Sequence, residues 1–116
     1  MRSRSITAVL ASLFLTLNLA GQTAVGPTIT AEMRSAANDA YQKQDWTAAA
    51  AGFEKIVKIE EQNAGARYRY GVALLNLNRN EEALANLESA MSISANAVFA
   101  FAAARAYSRT GKKDKV

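Results

Sequence analysis

The stretch that decides the fold runs Tyr70-Gly71-Val72-Ala73-Leu74, breaks at Asn78-Arg79-Asn80, and resumes as Ala83-Leu84-Ala85-Asn86-Leu87 with Ala90 three residues on. Small residues and large apolar residues recur here at spacings of three and four, the period of one helix face. Two helices joined by a short polar break need that arrangement. Gly71, Ala83 and Ala90 let the axes approach, and Leu74, Leu84, Leu87 and Met91 fill the layer between. Asn80 is a good N-cap residue, and Glu81 and Glu82 behind it suit the positive end of a helix dipole. Working outward, the chain slid along itself until Ala37 falls on Gly71 also lays Ala49 on Ala83, Phe53 on Leu87 and Ile56 on Ala90. A second slide that lays Gly71 on Ala104 also lays Leu74 on Tyr107 and Asn78 on Gly111. The pattern predicts helices over 30–43, 46–61, 64–77, 81–94 and 97–110, with Asp45 capping the second.

These segments resemble the tetratricopeptide repeat (TPR) family, whose pattern is W-x2-L-G-x2-Y, then A-x3-F, then P. The second unit matches best, through Tyr70-Gly71-x2-Leu74 and Ala83-x3-Leu87. The first offers Ala36-Ala37-x2-Ala40 and Ala49-x3-Phe53, the third Ala103-Ala104-x2-Tyr107 with Gly111 at the turn. Met33, Arg67 and Ala100 replace the opening tryptophan, and Glu61 and Ala95 the closing proline. The resemblance implies an all-α fold of stacked antiparallel helical hairpins, a TPR-like α-solenoid of about two and a half repeats. The expected layout is a segment 1–24, a linker 25–29, and a repeat domain 30–116 divided at 30–63, 64–96 and 97–116.

Composition agrees and excludes much else. Half the 116 residues are hydrophobic, alanine is abundant, and there is one proline; alanine has the best intrinsic helix propensity. There is no cysteine and no histidine. That removes disulfides, zinc and iron–sulfur sites, and the usual nucleophile–base pairs of covalent catalysis. No spacing of acids matches a calcium loop. No cofactor, metal or enzymatic activity is expected.

The segment 1–24 reads as an address. Arg2 and Arg4 precede an apolar run from Ile6 to Leu19, and small residues follow through Ala24. This is the order of a secretory signal peptide. The run, interrupted by Thr16 and Asn18, falls short of the roughly twenty residues that span a bilayer. The expectation is export to the periplasm or beyond, with an uncleaved membrane anchor as the alternative and no stable span after cleavage. The formal charge is +4, or +2 without Arg2 and Arg4. The basic cluster Arg105, Arg109, Lys112, Lys113 and Lys115 is therefore set aside as a nucleic-acid site.

In TPR proteins the first helix of each hairpin lines a concave face. The resemblance places Arg34, Asn38, Tyr41 and Gln42 there from the first unit, and Tyr68, Arg69, Val72, Leu75 and Asn76 from the second. Phe101, Arg105, Ser108 and Arg109 follow from the third. Aromatic groups among arginines, with no acid in these rows, suit a protein or peptide segment carrying carboxylates. Some TPR adaptors clamp a terminal carboxylate with a basic residue and asparagines. Arg34 and Asn38 occupy two of those places, but Arg69 stands for the second asparagine and Val98 and Ala102 for the remaining basic residues, so that specificity is not expected. Trp46 is expected to pack across the first turn. Phe99 and Phe101 face different sides of the fifth helix, whose outer side is expected to be met by a sixth helix starting near Asp114, by self-association through that helix, or by a helix of a partner. An exported interaction scaffold is the leading expectation; the alternative is the N-terminal adaptor region of a longer envelope enzyme or assembly protein.

Overall fold

The computed structural model describes residues 26–112. The expected signal segment 1–24 and the start of a sixth helix near Asp114 lie outside the described residues. Five helices follow one another: α1 (Ala31–Gln42), α2 (Trp46–Ile59), α3 (Ala64–Asn76), α4 (Asn80–Ile93) and α5 (Ala97–Arg109). Among the described residues there is no strand. Their ends lie within two residues of those predicted from spacing alone.

Caps set the starts. Thr30, Asp45 and Asn63 each accept the backbone N–H three residues on, at 3.1, 3.3 and 3.0 Å, and Asn96 accepts that of Val98 at 2.8 Å. Each satisfies one of the orphan donors of a first turn. The cap expected at Asn80 is not one. Helix α4 begins at Asn80 itself, its N-cap is Arg79 with no capping side chain, and the Asn80 Oδ1 is buried with no partner among the described residues. Arg79 instead reaches forward to the Glu82 carboxylate at 3.0 and 2.8 Å, anchoring an acid at the positive end of the dipole.

The stops repeat more regularly than any side chain. Gln44, Asn78 and Gly111 all have positive φ, at 61°, 61° and 79°, and they fall on one another in the same two slides that align the small and large residues. Just beyond each, the N–H of Asp45, Arg79 and Lys112 bonds the carbonyl of Ala40, Leu74 and Tyr107 respectively, at 2.9, 2.9 and 2.8 Å. This is the Schellman closure, which returns orphan carbonyls to the chain through a left-handed residue. The backbone therefore confirms a repeat whose letters agree only loosely between units.

Each helix packs on its sequence neighbours, and α3 also meets α5. Phe53, Ile56, Leu74, Leu75 and Leu87 are fully buried, each contributing about 1.5–3 kcal/mol of hydrophobic stabilisation. A Cβ on Gly71 would lie 2.6 Å from Leu87 Cγ and 3.3 Å from the Ala83 carbonyl. That close crossing is the reason for the small residue. The first hairpin crosses the same way at Ala37 and Gly52. Between hairpins, Tyr70 donates to Glu54 at 3.2 Å and Tyr107 to Glu88 at 3.1 Å. Glu54 and Glu88 are again equivalent places in the repeat.

Candidate protein-binding face

Helices α1, α3 and α5 are the first helices of successive hairpins. Between α1 and α3 lies a cleft of about 190 Å³. Arg34 and Asn38 form one wall and Asn63, Ala66 and Arg69 the other, over a floor of Phe53 and Ile56. Three expected site residues, Arg34, Asn38 and Arg69, thus meet at one place. Tyr41 and Tyr68 lie beside them. Burial, with the Tyr68 phenol next to it, pushes the Tyr41 hydroxyl up to about 12, and Arg69 opposes the shift. Tyr41 also meets Trp46 and Phe53 edge-on, at centroid separations of 5.6 and 6.2 Å. Trp46 packs across the first turn, as expected.

The surface is not free of acid. Glu60, the C-cap of α2, takes the Arg34 guanidinium in a two-pronged pair, with Nη1 at 2.9 Å from Oε1 and Nη2 on Oε2. Asn63 Nδ2 donates to the same carboxylate at 2.9 Å. The Arg34 hydrogen bonds, and then that of Asn63, hold the Glu60 carboxyl down at about 2. Arg34 is therefore occupied. Arg69 is exposed and forms no ion pair among the described residues. Asn38 donates to the Arg34 carbonyl at 3.0 Å, which uses one of its two amide hydrogens and leaves the other for a ligand.

The remaining expected residues do not join this cleft. Val72 and Leu75 are core. Asn76 is exposed and bonds the Val72 carbonyl at 2.9 Å. Arg109 donates to the Leu75 carbonyl at 2.6 Å, a cation at the negative end of α3. Gln42, Arg105 and Ser108 are exposed. Phe101 is 70% exposed, and it is Phe99 that stacks on Tyr68, with centroids 5.0 Å apart. Glu60, Asn63, Ala66 and Phe99 were missed. Of these only Asn63 carried a signal, an asparagine just ahead of a helical run. Two larger, shallower depressions lie beside α1: one of about 470 Å³ holds Glu32, Ser35 and Asp39 with two alanines and no basic group, and one of about 330 Å³ is lined mainly by alanines with a single charge, Lys55. Among the described residues no acidic cluster could hold a metal ion, and no helix is long and apolar enough to cross a membrane.

Stacked hairpins with a polar cleft between their first helices define a helical-repeat scaffold for protein interaction. The tetratricopeptide repeat family model matches residues 40–106, and the chain belongs to that family. Among solved structures it is similar to two mutants of MamA and to MamA AMB-1, at 26% identity in each case. TM-scores are 0.65 for one mutant and 0.67 for the other two structures. The matches cover 68%, 72% and 74% of this chain, and 44%, 46% and 66% of those chains; for two of them the chain spans under half their length. No curated protein matches it at a significant level.

Proposed function

We propose that the α1–α3 cleft receives an extended protein segment through its carboxylates, with Arg69 as the main contact and Asn38 and Tyr68 beside it. The observation that carries this is the convergence of two guanidiniums and two carboxamides on one cleft with an apolar floor. Guanidinium forks match carboxylates in geometry and charge. Arg34 already holds such a group in Glu60, which illustrates the ligand chemistry in place. The test uses a labelled extended peptide rich in aspartate and glutamate, with its asparagine/glutamine counterpart as control. The acidic peptide should bind, more weakly as salt rises. Arg69→Ala should weaken it by about tenfold, more than Arg34→Ala or Arg105→Ala. Lys55→Ala, on an exposed part of α2, should leave it unchanged. Affinity indifferent to all three arginines would move the site elsewhere.

The order of residues 1–24 supports placing this activity outside the cytoplasm. Mature protein should then begin between residues 21 and 28; an intact Met1 on cytosolic native protein would contradict export.

A further inference from the structure

All four tyrosines of the chain lie within the described residues, and they divide into two pairs. Tyr70 and Tyr107 stand at junctions between helices, and each donates its hydroxyl to a glutamate, Glu54 and Glu88 respectively. Tyr41 and Tyr68 stand beside the cleft, and among the described residues no carboxylate accepts from either. Tyr41 continues the α1 wall one turn beyond Asn38, at the spacing of one helix face. Tyr68 adjoins Arg69 on α3. The two phenols neighbour each other, and the charged group acting on Tyr41 is the Arg69 guanidinium. Both rings are fixed from behind. Trp46 and Phe53 meet Tyr41 edge-on, and Phe99 stacks on Tyr68. Each ring is still only partly buried, so its polar end is open to a ligand in the cleft.

Each phenol has one O–H to donate. A bond between the two hydroxyls satisfies one of these and leaves the other over. The spare donor lies beside an exposed guanidinium, with no acid of this chain to receive it. Resting on the cleft reading above, we propose that the Tyr41–Tyr68 pair sets the preference of the site for a carboxylate over a carboxamide: its spare hydroxyl donates to the ligand carboxylate that Arg69 holds. A hydrogen bond to an ionised acceptor is roughly twice as strong as one to a neutral acceptor. A phenol added to the guanidinium therefore widens the gap between an acidic side chain and its amide of the same shape. Burial, which pushes Tyr41 up to about 12, keeps its proton in place, so the group stays a donor at neutral pH. The ring contacts with Trp46, Phe53 and Phe99 hold the hydroxyls in position before the ligand arrives, which lowers the ordering cost of binding. The other two tyrosines show the same chemistry already completed within the chain, phenol to carboxylate.

The test uses the full chain with the peptide rich in aspartate and glutamate and its asparagine/glutamine counterpart, both made without tyrosine or tryptophan. The double variant Tyr41→Phe, Tyr68→Phe keeps both rings and removes both hydroxyls. Its preference for the acidic peptide should shrink roughly tenfold, through weaker binding of that peptide with the amide peptide unchanged. A phenol that donates to a carboxylate absorbs further to the red. The acidic peptide should therefore give a red-shifted tyrosine difference band with wild type, and none with the double variant, in which Tyr70 and Tyr107 remain. If the double variant melts early, the wild-type band alone decides. An unchanged preference in a folded double variant, or acidic binding without the band, would overturn the inference and leave the Arg69 cleft standing. A wild type that does not distinguish the two peptides would overturn the cleft reading and this inference together.

Discussion

Arg34 and Glu60 set the electrostatics of the cleft, and their pairing has a measurable signature. The hydrogen bonds from Arg34 and Asn63 lower the Glu60 carboxyl from its ordinary 4.5 to about 2. A lowered folded value means that folding favours the ionised form. The contribution is complete above pH 4.5 or so and disappears as pH falls toward 2. Glu60→Gln should therefore melt below wild type near neutrality, and the gap should close between pH 5 and 2. A gap unchanged across that window would show that the pair contributes nothing through ionisation. The same substitution should tighten binding of an acidic peptide, because it releases Arg34. Arg34 and Asn38 could be found from their places in the repeat. Glu60 could not, since it is remote from Arg34 in the chain, in a connection between hairpins, and reaches it only once α2 has packed.

At the level of the helices, termination is more uniform than initiation. Three turns close identically, yet the left-handed residue is glutamine in the first, asparagine in the second and glycine in the third. Left-handed backbone costs an ordinary side chain roughly 1–2 kcal/mol, and asparagine tolerates it better. Gln44→Gly should stabilise the chain by about 0.5–1 kcal/mol, net of the extra entropy glycine loses on folding. Asn78→Gly should gain less. Denaturant midpoints at unchanged slope test both, and a destabilised Gln44→Gly would mean that its side chain contributes a contact outweighing the strain. Spacing placed every helix to within two residues because small and large residues recur on one face. It misassigned the α4 start because Asn80 has the chemistry of a cap, whereas the helix begins at Asn80 itself behind an uncapped Arg79 whose guanidinium pairs with Glu82. It also assigned Leu75 to the concave face, because position along α3 does not reveal that the far side of that helix is covered too.

Over the whole molecule, stability is a sum of hairpins and the contacts between neighbours, so an end unit with one neighbour is the first to open. The hairpin order was evident in the chain because the repeat register survives in Ala49, Ala83 and Gly71 even where the family's tryptophan and proline are gone. Which face would carry polar chemistry was only half evident, since the cleft needs α1, α2 and α3 assembled together. The packing of Trp46 against Tyr41 gives this architecture an optical consequence. With one indole in the chain, ultraviolet emission reports the first turn alone, while far-ultraviolet ellipticity sums over all five helices. The emission transition should come at lower denaturant than the ellipticity transition. Coincident curves would mean that the array melts as one cooperative block. Separated curves would make a single native chromophore a gauge of how far opening has advanced along the stack.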